Sequence, residues 1–100
     1  MPSVVVRYKV KPERVEENRG LIERVFAELG AVAPQGIRYA SFQLEDGVSF
    51  VHVASIETED GSNPLRAIEA FAEFTREIRE RCDEPLAAQG ASVVGSYGMF

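Results

Sequence analysis

The stretch "LEDGVSFVHV" (44–53) decides how this chain is read. Asp46-Gly47 is a strong two-residue hairpin signal, because aspartate and glycine tolerate the positive φ values that such a turn needs. Phe50, Val51 and Val53 then continue as a strand. A two-residue turn pairs Glu45 with Val48, and therefore Ser41 with His52, the only histidine of the chain. One face of this hairpin carries Ile37, Tyr39, Ser41 and Gln43 beside Phe50, His52, Ala54 and Ile56. The opposite face carries Ala40, Phe42 and Leu44 beside Ser49, Val51 and Val53.

On the N-terminal side, "SVVVRYKV" (3–10) is rich in β-branched residues and reads as a first strand. Pro12 suits the first turn of a helix, and Val15, Ile22, Val25, Phe26 and Leu29 recur at helical spacing. This predicts a helix to about Leu29 with Gly30 just past its end. Strands are predicted over about 37–45 and 48–57. Asn63-Pro64 then reads as a cap and first turn, and Leu65, Ile68, Phe71, Ala72, Phe74, Ile78 and Cys82 form the stripe of a second helix. The run "ASVVGSYGMF" (91–100) is the predicted last strand. The order is βαββαβ, an α+β ferredoxin-like arrangement with a four-stranded antiparallel sheet and both helices on one face.

Composition narrows the function classes. One hundred residues, 45% hydrophobic and 27% charged, make a single globular domain spanning 1–100. A net charge of −5 argues against nucleic-acid and anionic-membrane surfaces, which need clustered cations. The single cysteine, Cys82, excludes an internal disulfide framework and fits a reducing cytoplasm. The chain opens directly on a strand pattern and contains no apolar run long enough to span a bilayer.

Both faces of the hairpin are apolar, yet the helices can cover only one. The uncovered face predicts a partner, most simply a second copy packed sheet against sheet. The runs "YKVKPERVEE" and "GIRYASFQLEDGVSFVHVASIE", with the closing strand, resemble the antibiotic biosynthesis monooxygenase family of dimeric α+β barrels. The shared features are a V-K-P entry to the first helix, a glycine opening strand two and an F-V-x-V core in strand three. The resemblance implies a homodimer that oxidises small quinol- or anthrone-like aromatic compounds with O₂, using no cofactor. Many members carry tryptophan where this chain has Ile56 and glutamate where it has Ala54. The haem-degrading branch needs an asparagine on strand one and a histidine on the second helix. Neither is present, which disfavours haem.

His52 is the sharpest candidate. It has the chemistry of a catalytic base or hydrogen-bond donor, and equally that of a buried histidine satisfied by Ser41 or a dimer mate. Tyr39, Ser41 and Phe50 share its face and are candidate substrate contacts. Tyr8 and Tyr97 could likewise donate hydrogen bonds, or simply pack. Asn18 interrupts the apolar stripe of the first helix, and so faces either a pocket or solvent. Arg7 reads as an anion contact or, more simply, as half of an intersubunit ion pair, and Cys82 as a small core residue. "ERVEEN" and "REIRERCDE" read as solvated helix faces with i,i+4 pairs such as Glu77 with Arg81. One histidine and one cysteine give no metal-ligand spacing. "GSYG" (95–98) lacks the strand-to-helix context of a phosphate loop.

The same element order serves RNA recognition motifs, and "DGVSFVHV" imitates their strand-three signature. But Asp46 replaces the basic residue, and Val48 and Val53 replace two of the aromatics. Only Phe50 remains to stack a base, on an acidic protein. The sequence therefore points to a small apolar ligand rather than RNA, and leaves a non-catalytic binding protein as the alternative to an oxygenase.

Overall fold

The computed structural model describes residues 3–99. Strands β1 (Ser3–Lys9), β2 (Ile37–Gln43), β3 (Ser49–Ile56) and β4 (Ala87–Ala91) form one antiparallel sheet in the order β2-β3-β1-β4. Helix α1 (Val15–Val32) joins β1 to β2. A 3-10 turn (Pro64–Ala67) and helices α2 (Glu69–Thr75) and α3 (Ile78–Arg81) join β3 to β4. This is the expected ferredoxin-like order.

The register is the expected one, with Ser41 opposite His52, and Val6 on β1 opposite His52 from the other side. The turn differs. Leu44 N–H bonds the Ser49 carbonyl, leaving 45–48 as a four-residue loop rather than a two-residue turn. Asp46 explains the longer loop: its carboxylate accepts bonds from the Val48 and Ser49 amides and the Ser49 hydroxyl. Gly36 opens β2 at φ +82°, where a Cβ would lie 2.5 Å from Thr58 Cγ2. Both conformation and space require glycine there.

Three boundaries depart from the sequence reading. Helix α1 continues through Gly30 and ends at Ala33, whose φ is 49° and whose amide bonds the Leu29 carbonyl. A glycine inside a helix costs only about 1 kcal/mol, too little to stop one with an apolar face to bury. Gly20 has only the tip of Arg24 within 4 Å of a hypothetical Cβ, so close packing does not explain it. The second helix is not continuous: Asn63 caps the 3-10 turn through Leu65 N–H, and Glu77 adopts φ 62° between α2 and α3. The last strand also begins and ends earlier. Its pairing with β1 runs from Arg7–Ala87 to Ser3–Ala91, so the β-branched run 93–94 lies past that ladder. Val93, Val94, Tyr97 and Met99 are exposed, and Phe100 lies outside the described residues.

The helices cover the face that carries Val4, Val6, Tyr8, Phe50, His52 and Tyr39. The core is Tyr8, Val10, Val25, Phe50, Ile68, Ala70, Phe74 and Cys82. Glu28 on α1 accepts hydrogen bonds from the Glu69 and Ala70 amides, pinning the start of α2, where donors are otherwise unpaired. The opposite face carries Val5, Arg7, Ala40, Phe42, Val51 and Val53, and no helix among the described residues lies over it. No helix among the described residues is long and apolar enough to cross a membrane.

Candidate functional site

His52 lies at the centre of the covered face and is 4% exposed. Strand alternation points it toward the helices, and its neighbours on β1 and β2 supply two tyrosines. Tyr8 Oη lies 2.7 Å from His52 Nε2, and Tyr39 Oη lies 2.6 Å from Nδ1. Ser41 Oγ is a longer 3.3 Å from Nε2. Both ring nitrogens are therefore occupied by hydroxyl groups. Phe74 stacks on the imidazole, and Phe26 stacks on Tyr39 with ring centres 5.2 Å apart.

Burial controls the ionisation of this cluster. Desolvation pulls the His52 pKa down to about 4, because no carboxylate compensates the buried imidazolium. Burial also holds both tyrosines well above their ordinary value; for Tyr8 the Asn18 bond and the Arg81 charge oppose it only partly. At neutral pH the group is a neutral imidazole between two protonated phenols.

Behind Tyr8 the network continues. Asn18, fully buried on α1, donates from Nδ2 to Tyr8 Oη at 3.1 Å. Arg81 Nε in turn donates to Asn18 Oδ1 at 3.1 Å. The same guanidinium donates to the carbonyls of Phe74 at 2.6 Å and Arg76 at 3.3 Å, and lies over the Phe74 ring. Arg81 is only 1% exposed. This corrects the reading of Arg81 as a solvated partner of Glu77. The left-handed residue at Glu77 resets the helical phase, so α3 turns Arg81 inward.

In front of the cluster is a cavity of about 200 Å³. Val4, Val6, Ala54 and Ile56 form its sheet wall, Phe71 and Ile78 its helical wall, and His52, Tyr8 and Tyr39 its polar side. Of the candidates named from sequence, His52, Tyr39 and Tyr8 border this space. Ser41 touches the imidazole without lining the cavity, Phe50 lies behind it stacked on Tyr8, and Asn18 reaches it only through Tyr8. Tyr97 is on the exposed segment after β4, away from the core. Cys82 is buried in the core with its thiol pKa raised by desolvation, which suits a packing residue. Among the described residues no group of three His, Cys, Asp or Glu side chains is placed to hold a metal ion.

No family model and no curated protein matches the sequence. Solved structures do. A Nitrosomonas europaea protein named as an antibiotic biosynthesis monooxygenase superposes with a TM-score of 0.76 at 14% identity, over 95% of this chain and 100% of that one. Rv0793 from Mycobacterium tuberculosis gives 0.73 at 16% identity, over 95% and 96%. The chain has the fold of the antibiotic biosynthesis monooxygenase-like proteins. A mutant of SnoaB, a cofactor-independent oxygenase from Streptomyces nogalater, matches with a TM-score of 0.68 at 16% identity, over 97% and 96%. At these identities the likeness fixes the fold, while chemistry must be argued from the cavity.

Two contributors to the site could not be placed from the sequence. Tyr8 shares the Val4-Val6-Tyr8 alternation, but its place beside His52 depends on the β1–β3 register, which no local signal sets. Arg81 gave no signal at all, because nothing in "TREIRER" (75–81) marks a helix break.

Proposed function

We propose that this protein is a cofactor-independent monooxygenase for a small oxidisable aromatic compound of the quinol type. The observation that carries the reading is the open apolar cavity bordered by His52 and Tyr39. A cavity of about 150 Å³ accommodates benzene, so about 200 Å³ suits a substituted single ring or a compact two-ring compound. The quinol enters as its monoanion, having released one proton to solvent that is returned when water forms, and this electron-rich anion reduces O₂ directly. One oxygen atom enters the ring, the other leaves as water with two substrate hydrogens, and the product is the hydroxyquinone. The protein then needs to exclude bulk water and stabilise the negative charge on the substrate oxygen.

The cluster fits that second task better than it fits a free base. Both His52 nitrogens are already engaged, and the pKa of about 4 makes the imidazole a weak proton acceptor. A hydroxyl donor beside the cavity, held by a neutral imidazole, matches the charge that forms. Cys82 and Arg7 have no part in this scheme.

The test is oxygen-electrode measurement with single-ring and two-ring hydroquinones, with ¹⁸O₂ used to trace the incorporated atom. Enzyme-dependent uptake with label in the product supports the oxygenase. Binding of the same compounds without uptake above the spontaneous rate would instead make the protein a ligand carrier.

The same reading includes a homodimer. Val5, Phe42, Val51 and Val53 form an uncovered apolar sheet face, and Val94 and Tyr97 are fully exposed on the segment after β4. Burying both in a second copy removes one continuous liability. Light scattering at micromolar concentration should give twice the 11.0 kDa chain mass. A monomeric mass throughout that range would refute the sheet-to-sheet assembly.

A further inference from the structure

We propose that Arg81 sets the direction of a hydrogen-bond chain running through Asn18, Tyr8 and His52 to Tyr39. The Tyr39 hydroxyl proton is thereby presented to the cavity, which selects ligands that place an acceptor oxygen there.

The direction follows from donor inventory. Arginine only donates, so Arg81 Nε fixes Asn18 Oδ1 as the acceptor end of the amide. Asn18 Nδ2 must then donate to Tyr8 Oη. The two side-chain partners of Tyr8 Oη are Asn18 and His52. With Asn18 donating, the only acceptor left for the Tyr8 proton is His52 Nε2. A neutral imidazole that accepts at Nε2 carries its proton on Nδ1, and Nδ1–H donates to Tyr39 Oη at 2.6 Å. Tyr39 has then accepted, and its own proton is directed to the cavity that it borders.

The reverse arrangement is costly. The favoured arrangement leaves its one spare proton on half-buried Tyr39, open to the cavity. If Nε2 carried the proton, the spare one would sit on Tyr8, 3% exposed, as a buried orphan. Such an orphan costs about 1–3 kcal/mol. Arg81 is a positioning residue, since it touches neither the cavity nor His52. Its burial against two carbonyls and the Phe74 ring keeps the Asn18 amide from turning over.

This inference rests on the cavity being the ligand site, as proposed above, but on no oxygen chemistry. His52 is the only histidine, so long-range ¹H–¹⁵N spectra report its tautomer without assignment ambiguity. The wild-type ring should carry its proton on Nδ1. Asn18→Asp is nearly isosteric, but its carboxylate only accepts. Tyr8 must then donate to it, the His52 proton should move to Nε2, and Tyr39 should turn its proton onto Nδ1. Arg81→Met frees the Asn18 amide and should give a mixture of both tautomers.

Binding supplies the second readout. Acetophenone and ethylbenzene are close in shape, and only the ketone offers an acceptor. The preference for acetophenone should fall about tenfold in both Asn18→Asp and Tyr39→Phe, the worth of roughly one hydrogen bond. A wild-type proton on Nε2 would overturn the proposal, and so would an unchanged tautomer in folded Asn18→Asp or folded Arg81→Met. If a buried variant fails to fold, the wild-type tautomer and the Tyr39→Phe preference still decide. If both hold while quinols give no oxygen uptake, the oxygenase reading alone fails. Uptake with the proton on Nε2 leaves the oxygenase standing and removes this proposal.

Discussion

Tyr39→Phe should lower quinol-dependent oxygen consumption by about a hundredfold to a thousandfold, the usual effect of deleting one donor aimed at developing negative charge. The change removes a single oxygen. The ring still stacks on Phe26 at an interplanar angle of 7°, so the strand and the cavity wall keep their packing. Turnover should fall while substrate affinity changes less, because the bond strengthens as the substrate oxygen becomes anionic. His52→Ala should lose about as much by releasing Tyr39, and the double variant should be little worse than either single one. That non-additivity is the mark of groups acting as one unit. Full turnover in folded Tyr39→Phe would refute the donor role. Tyr39→Phe with little loss, beside inactive His52→Ala, would instead return the imidazole to the part of base.

How far the sequence led depends on which interactions are local. The hairpin register was legible because alternation and an Asp-Gly pair constrain it together, even though the turn proved longer. Ser41 and His52 are therefore neighbours as the register demanded. Asn18 was noticeable because a polar residue interrupted an apolar stripe, and it proves fully buried. Its partner was hidden. A continuous helical stripe through Cys82 put Arg81 on the wet side, and only the left-handed Glu77 reverses that. Glutamate at positive φ has no propensity signature, since tertiary packing imposes it. The covered sheet face was likewise ambiguous, because both faces are apolar and only the helix crossover settles it. Buried polar networks escape sequence reading for the same reason: their partners lie far apart in the chain, here 63 residues for Asn18 and Arg81.

Acid should destabilise the folded protein through His52 before it does so through the carboxylates. The unfolded imidazole has a pKa near 6.5, and the folded one is pulled down to about 4 by burial. Between these values the unfolded chain binds a proton that the folded chain refuses, so stability rises with pH across the window. The contribution is fully present above pH 6.5, is lost progressively as pH falls toward 4, and changes no further below that. A gap of this width between the folded and unfolded values corresponds to a loss of about 3 kcal/mol. Asp46, Glu17 and Asp60 have pKa values held below the ordinary carboxylate range by their hydrogen bonds, so their effect begins only at more acid pH. The two tyrosines and Cys82 are raised by burial and act only on the alkaline side. His52→Gln isolates the imidazole's contribution, because glutamine retains a donor and an acceptor but does not titrate. Urea unfolding at one fixed protein concentration should show wild type losing stability between pH 6.5 and 4, with the variant nearly flat until the carboxylates protonate. Parallel curves for the two proteins would mean that the imidazole keeps its ordinary pKa in the fold. An imidazole held neutral between Tyr8 and Tyr39 even at mildly acid pH would then have to be abandoned.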